Sequence, residues 1–139
     1  MPFFSKIVCP DGWIRFKKHC YKLFPQRLDW SSAMFFCIDR NSALISLHAV
    51  EESNFVKTSI LASSAEQFGV WTGGYHGQNK IWKWNDNSPF SSKLTTPTAD
   101  VQHNCIYLLK ASNVLSISTV ECDTRTLPFI CKMGDGKLE

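Results

Sequence analysis

The chain has 139 residues, 44% of them hydrophobic and 19% charged, and a net charge of +3. A chain of this size and balance can bury roughly 70% of its unfolded surface around one core, so a disordered tail, a repeat array and a two-domain protein all fit poorly. No run of about 18 apolar residues occurs, which excludes a membrane-spanning helix within these residues.

Residues 1–8 read as an N-terminal extension. The opening MPFFSKIVC is too short and too polar for a secretory leader, so a secreted protein of this sequence is expected to have lost its leader before Met1. Trp13–Lys17 and His19–Leu23 alternate apolar and polar residues about Lys18, the period-2 signal of a β-hairpin. Charge is uneven here. Residues 1–28 hold Lys6, Arg15, Lys17, Lys18, Lys22 and Arg27 against Asp11 alone, a balance of +5, and the remainder is at −2. Such a face attracts sulfated glycans, anionic membrane or nucleic acid. The simpler reading is the solvated side of a hairpin, and no RNA-binding or helix-turn-helix signature accompanies it, so nucleic acid is not an expected partner.

Asp29 suits an N-cap, because its carboxylate accepts from the free N–H groups of a first helical turn. Trp30, Ala33, Met34 and Cys37 then share one face of the helix. Ala43–Leu47 reads as a short extended segment. A second helix is expected from about His48, with Glu51 in capping-box position and Phe55, Val56 and Ile60 facing inward. From residue 68 the chain turns β-rich: Val70–Tyr75, Ile81–Trp84, Cys105–Leu109, Leu115–Cys122 and Leu127–Cys131 are strand candidates. The Gly73-Gly74 pair allows a close backbone approach or a bulge. Between Trp84 and Cys105 lies a polar loop of twenty residues, a length usually tied to function. Residues 133–139 read as a C-terminal tail.

The six cysteines, Cys9, Cys20, Cys37, Cys105, Cys122 and Cys131, include no C-x-x-C, so zinc-ribbon and thioredoxin patterns are missing. Their apolar settings and even number point to three disulfides and an oxidising compartment, with 15 pairings open. No G-x-S-x-G, H-E-x-x-H or phosphate-cradling glycine loop is present. The four histidines stand singly. Glu51-Glu52, the one adjacent acidic pair, sits where a helix dipole favours negative charge. Neither an enzyme nor a cofactor is expected.

Several stretches agree in order and spacing with one family. They are Cys9-Pro10-Asp11-Gly12-Trp13 with Cys20-Tyr21, Trp30-Ser31-Ser32-Ala33 with Cys37, and Leu44-Ile45-Ser46-Leu47-His48 with Glu51-Glu52. Trp71-Thr72-Gly73-Gly74, Trp82-Lys83-Trp84 and Phe129-Ile130-Cys131 complete the set. From Cys9 to Lys132 the chain resembles the C-type lectin-like domain. The resemblance implies a double-loop α+β fold over residues 9–132, with two helices on small antiparallel sheets. It also implies the pairs Cys9–Cys20, Cys37–Cys131 and Cys105–Cys122.

Sugar-binding members of that family hold calcium with a Glu-Pro-Asn or Gln-Pro-Asp triplet and an Asn-Asp pair before the fifth cysteine, because Ca²⁺ takes six to eight oxygens, several of them anionic. Here the matching positions read Thr96-Pro97-Thr98 and Ser118-Thr119. Neutral hydroxyls do not repay dehydration of the ion, so no metal ligands are expected, although Asp86, Asp100 and Glu121 lie near. Asn85-Asp86-Asn87-Ser88-Pro89 makes a tight turn most simply. Tyr75 and His76 read either as an exposed aromatic contact pair or, for Tyr75, as core. His103 reads as a strand edge, and Trp71, Trp82 and Trp84 read as core.

The stretch from Trp84 to Cys105 resembles the calcium-free loops of natural-killer-cell receptors of the superfamily. The candidate ligand-binding residues are Tyr75, His76, Asn85, Asp86, Asn87, Lys93, Thr96, Thr98, Asp100 and His103. The resemblance implies an extracellular, calcium-independent recognition module for a protein or glycan, secreted or tethered through a segment outside this chain, and a homo- or heterodimer is compatible with it. A lectin with a divergent calcium site is the alternative. An ice- or mineral-adsorbing protein, hinted at by Thr95, Thr96 and Thr98, comes third.

Overall fold

The computed structural model describes residues 8–62, 68–90, 97 and 102–133. The expected hairpin is formed by β1 (Ile14–Phe16) and β2 (His19–Leu28). β1 is shorter than the alternation suggests. Its entry is a turn in which the Trp13 N–H donates to the Pro10 carbonyl, and Lys17 takes a left-handed φ of 55° at its exit. β2 is longer, running past Pro25 because the register with its neighbour shifts between Phe24 and Leu28, where a proline without an N–H is tolerated.

Helix α1 (Trp30–Ile38) starts as the sequence indicates: Asp29 Oδ1 accepts the Ser32 N–H at 2.9 Å, and Trp30, Ala33 and Cys37 are buried. After β3 (Ala43–Leu44), helix α2 covers Val50–Phe55 and widens into a π-helical turn over Val56–Ile60. Its beginning differs from expectation. The N-cap is Ala49, whose side chain makes no cap, and it is Glu52 rather than Glu51 that reaches back, accepting the His48 N–H at 2.8 Å.

β4 (Phe68–His76), β5 (Trp82–Trp84), β6 (Cys105–Ala111), β7 (Val114–Val120) and β8 (Leu127–Lys132) follow. One sheet runs β1-β2-β8-β4-β6-β7, with β3 paired to β8 and β5 to β4. The pairings are antiparallel except β4–β8, which meet in parallel at Trp71 and Phe129. That contact joins the N-terminal and C-terminal strands to the β4–β7 meander.

Two buried clusters fill the domain. One gathers Tyr21, Ile45, Val56, Val70, Leu108 and Ile130, and the other Trp30, Ala33, Leu44, Trp71 and Phe129. The three disulfides are Cys9–Cys20, Cys37–Cys131 and Cys105–Cys122. The first ties the chain start to the hairpin, the second ties α1 to β8, and the third ties β6 to the segment that follows β7. Both ends of the long loop are thereby held: β5 pairs with β4 on one side, and Cys105 is bridged on the other.

Candidate functional site

The long loop follows β5 and precedes β6, and local packing at its described root is close. Trp71, Trp82 and Trp84 are all buried. The Trp71 and Trp30 indoles donate to the Leu28 and Thr72 carbonyls at 2.8 Å each, and Thr72 Oγ1 donates to the Ile106 carbonyl at 2.9 Å. Gly73 lies under the loop root. A Cβ there would stand 2.9 Å from the Leu44 carbonyl and closer still to Asn85 Oδ1, so only glycine lets β3, β4 and the loop meet. The Gly73 N–H donates to the Ile45 carbonyl and its own carbonyl accepts the Asn85 N–H.

From this root a polar ring, part-buried at the loop and buried at Lys132 and Glu52, runs back into the domain. Asp86 Oδ2 accepts the Ser46 hydroxyl at 2.6 Å, while Oδ1 accepts both the Ser88 N–H, at 2.9 Å, and the Ser88 hydroxyl. Lys132 Nζ donates to the Ser46 carbonyl (3.0 Å), to Ser46 Oγ (3.3 Å) and to Glu52 Oε2 (2.6 Å). The Tyr21 hydroxyl donates to the same Glu52 oxygen at 2.5 Å. His48 closes the ring, with Nε2 at 2.9 Å from Ser88 Oγ and its backbone N–H on Glu52 Oε1. The Ser88 proton is committed to Asp86, so His48 Nε2 is the donor and the ring carries its proton there.

The electrostatics follow from this arrangement. Burial works against ionisation of Glu52, but the Lys132 ammonium and the hydrogen bonds from Lys132, Tyr21 and His48 outweigh it and hold the carboxyl below its ordinary value. Asp86 behaves alike: burial raises it, and the Ser46 and Ser88 hydrogen bonds with Lys132 pull it lower still. Burial, helped by Lys132, lowers His48 against the opposing pull of Glu52 and Asp86. Burial and then Glu52 push the Tyr21 hydroxyl strongly upward. An intramolecular ammonium thus supplies the cation for this oxygen cluster. Among the described residues, no group of three or more His, Cys, Asp or Glu converges as a metal site.

The sequence-derived candidates separate into three sets. Lys93, Thr96, Thr98 and Asp100, together with Thr95, lie outside the described residues; Pro97 is described, and its carbonyl accepts the Trp82 indole N–H at 2.8 Å. His76 corrects one expectation. It is buried, set edge-on against Trp82 at 4.5 Å with Nδ1 on the Gly77 carbonyl, so it supports the strand end instead of presenting a contact surface. Tyr75 is half-buried against the Trp30 ring at 5.4 Å, which resolves its two readings toward packing. Asn85 turns its Oδ1 inward and Asp86 is consumed by the ring. Asn87, at a left-handed φ of 68°, and His103 remain exposed.

Two features escape sequence reasoning. Ile81 and Lys83 are exposed beside the β4–β5 turn, and the Trp-Lys-Trp alternation was the available signal for Lys83. Tyr21, Ser46, Glu52 and Lys132 have no linear signature at all. The Trp84 indole N–H and Asn85 Oδ1 are buried with no hydrogen-bond partner. Each such atom costs about 1–3 kcal/mol, which makes the loop root a place where close packing prevails over polar satisfaction.

A disulfide-stapled sheet with two helices and a long loop on a pinned root defines the class of double-loop α+β domains. The family model of the lectin C-type domain matches residues 26–133, and the chain belongs to that family. It is 30% identical over 133 residues to lithostathine-1 of Mus musculus, covering 92% of this chain and 80% of the relative. The solved structure of a calcium-independent type II antifreeze protein superposes with a TM-score of 0.81 at 22% identity, over 95% of this chain and 98% of that one, a likeness of fold alone. EMS16, an antagonist of the collagen receptor integrin α2β1, superposes with a TM-score of 0.67 at 27% identity, over 89% of this chain and 98% of its own.

Proposed function

We propose that this domain is a non-catalytic, extracellular recognition module that binds a protein surface through its long-loop face without calcium. The observation that carries the reading is the engagement of Asp86. It is the acidic residue at the described loop root, and both its oxygens are taken by Ser46 and Ser88. The hydroxyl-bearing residues at Thr96, Thr98, Ser118 and Thr119 support the same conclusion, since hard oxygen donors with charge are what calcium needs. Three disulfides fit an oxidising compartment. The kinship with EMS16, an antagonist of a receptor protein, favours a protein ligand. Exposed Ile81, Lys83, Asn87 and His103 offer an apolar and polar mixture suited to such a contact.

Calorimetry with Ca²⁺ tests the metal part: no saturable heat up to millimolar ion is expected, and saturable binding at one loop site overturns it. A glycan array probed with and without chelator tests the ligand part. Chelator-sensitive glycan binding would establish instead a lectin with a divergent calcium site.

A further inference from the structure

Beside the Lys132–Glu52 pair lies a concavity of 270 Å³, between the β1–β2 turn and the approach to α2. Its size falls just under the roughly 300–1,000 Å³ typical of drug-sized ligands, which suits a single ring with one substituent. Phe16 and Tyr21 line it, and Phe16 is braced by stacking on Phe55 at 4.6 Å.

The floor has little left to offer in hydrogen bonds. All three donors of Lys132 are directed at Ser46 and Glu52. Glu52 is filled by Lys132, Tyr21 and the His48 N–H, and the Tyr21 hydroxyl is spent on Glu52. Tyr21, Glu52 and Lys132 are themselves buried, so the accessible lining is the half-buried Phe16, His19, His48 and Ala49. The rim is different. Lys17 and Lys18 are exposed at the turn, held there by the left-handed φ of Lys17, and Lys17 Nζ stands 5.6 Å from the Phe16 ring centre. The lining carries three lysines, Lys17, Lys18 and Lys132, against Glu52, a surplus of two positive charges before any histidine is counted. This is where the basic balance of residues 1–28 meets an apolar hollow.

We propose that this concavity is a binding site for a small aromatic anion, its ring against the half-buried Phe16 ring and its anionic group between Lys17 and Lys18. The site shares His48, Glu52 and Lys132 with the polar ring but no residue of the long loop lines it, and its fate is independent of the calcium-free reading above. Complementary charge beside an apolar surface is the recognition principle: the Phe16 ring supplies contact area and the lysines select the sign.

The test is an amide-resolved NMR titration of the full chain with phenyl sulfate, inorganic sulfate and benzyl alcohol as probes. Phenyl sulfate is expected to give saturable shifts clustered at Phe16–His19 and His48–Ala49, with roughly millimolar affinity given so few heavy atoms. Sulfate and benzyl alcohol are each expected to bind about tenfold more weakly or worse, because each supplies half of the complementarity. Benzoate and phenyl phosphate in place of phenyl sulfate identify the preferred anionic group. A Lys17→Glu/Lys18→Glu variant, altered at exposed turn positions only, is expected to lose the shifts while its thermal transition stays in place. Phe16→Leu is expected to weaken phenyl sulfate selectively and leave sulfate unchanged. The proposal fails if sulfate alone reproduces the shifts, if benzyl alcohol binds equally well, if the shifts fall elsewhere, or if charge reversal leaves the affinity intact.

Discussion

Replacing Lys132 with methionine removes one positive charge from a site where both partners are shielded from water: Lys132 is 4% and Glu52 6% exposed, with Nζ 2.6 Å from Oε2. At an effective dielectric of about 20 the pair attracts by roughly 6 kcal/mol. Several kcal/mol of desolvation per ion offsets most of that, so the intact pair contributes little net stability. The single substitution is a different matter, because it leaves the Glu52 carboxylate buried with only the Tyr21 hydroxyl and the His48 N–H. Breaking such a pair costs about 3–5 kcal/mol, or roughly 10–15 °C of melting temperature in a domain of this size. Lys132→Met/Glu52→Gln leaves no charge stranded and is expected to recover most of the loss. Urea denaturation of the four proteins in the cycle, disulfides intact, measures the coupling. Additive single effects, or a double variant as unstable as Lys132→Met, would falsify the reasoning.

Three further outcomes follow from the same structure. Converting both Cys37 and Cys131 to alanine opens a bridge with a sequence separation of 94 and is expected to cost about 2–5 kcal/mol in denaturant unfolding; an unchanged midpoint refutes the role assigned to it. Gly73→Ala drives a methyl into the Leu44 carbonyl and the Asn85 amide, and a loss of about 1–3 kcal/mol is expected, read as a lower melting temperature with the strands retained by circular dichroism. Stability is expected to fall with acid in two stages. His48, lowered from 6.5, favours its neutral form in the folded state, so its contribution is complete above pH 6.5 and is lost as pH drops through the lowered value. Glu52 and Asp86, lowered from 4.5 and 3.8, hold their contributions above those values and lose them at more acidic pH. Melting curves across pH with His48→Gln alongside check this, since the variant should lack the upper stage.

Local signals were legible wherever one residue's chemistry acts on its near neighbours. Asp29 capped α1 because a carboxylate needs only the N–H three residues on, and the Trp82-Lys83-Trp84 alternation put both indoles inside. Reading failed where geometry depends on distant chain. His76 read as half of an exposed contact pair, yet Trp82, brought alongside by the β4–β5 pairing, packs edge-on against it. The capping-box spacing singled out Glu51 of the helix-start pair; only the placement of Lys132 on β8 and Tyr21 on β2 makes Glu52 the buried, ionised one.

The amino-acid order by itself determined the helix and strand periodicities and an even set of six cysteines in apolar settings, and its resemblance to the C-type lectin-like domain implied the fold class and the disulfide pairing that the structure bears out. Periodicity, cysteine placement and residue type are properties of the chain and survive without coordinates. Only the tertiary structure decided which polar groups share a proton or a charge. The ring from Tyr21 through Glu52, Lys132, Ser46 and Asp86 to Ser88 and His48 joins residues as far as 86 positions apart. The basic turn at Lys17 and Lys18 likewise became the rim of a hollow only when α2 was set against the hairpin. Hydrogen bonds and ion pairs act over a few ångströms, and sequence separation says nothing about such distances until the sheet has brought the strands together.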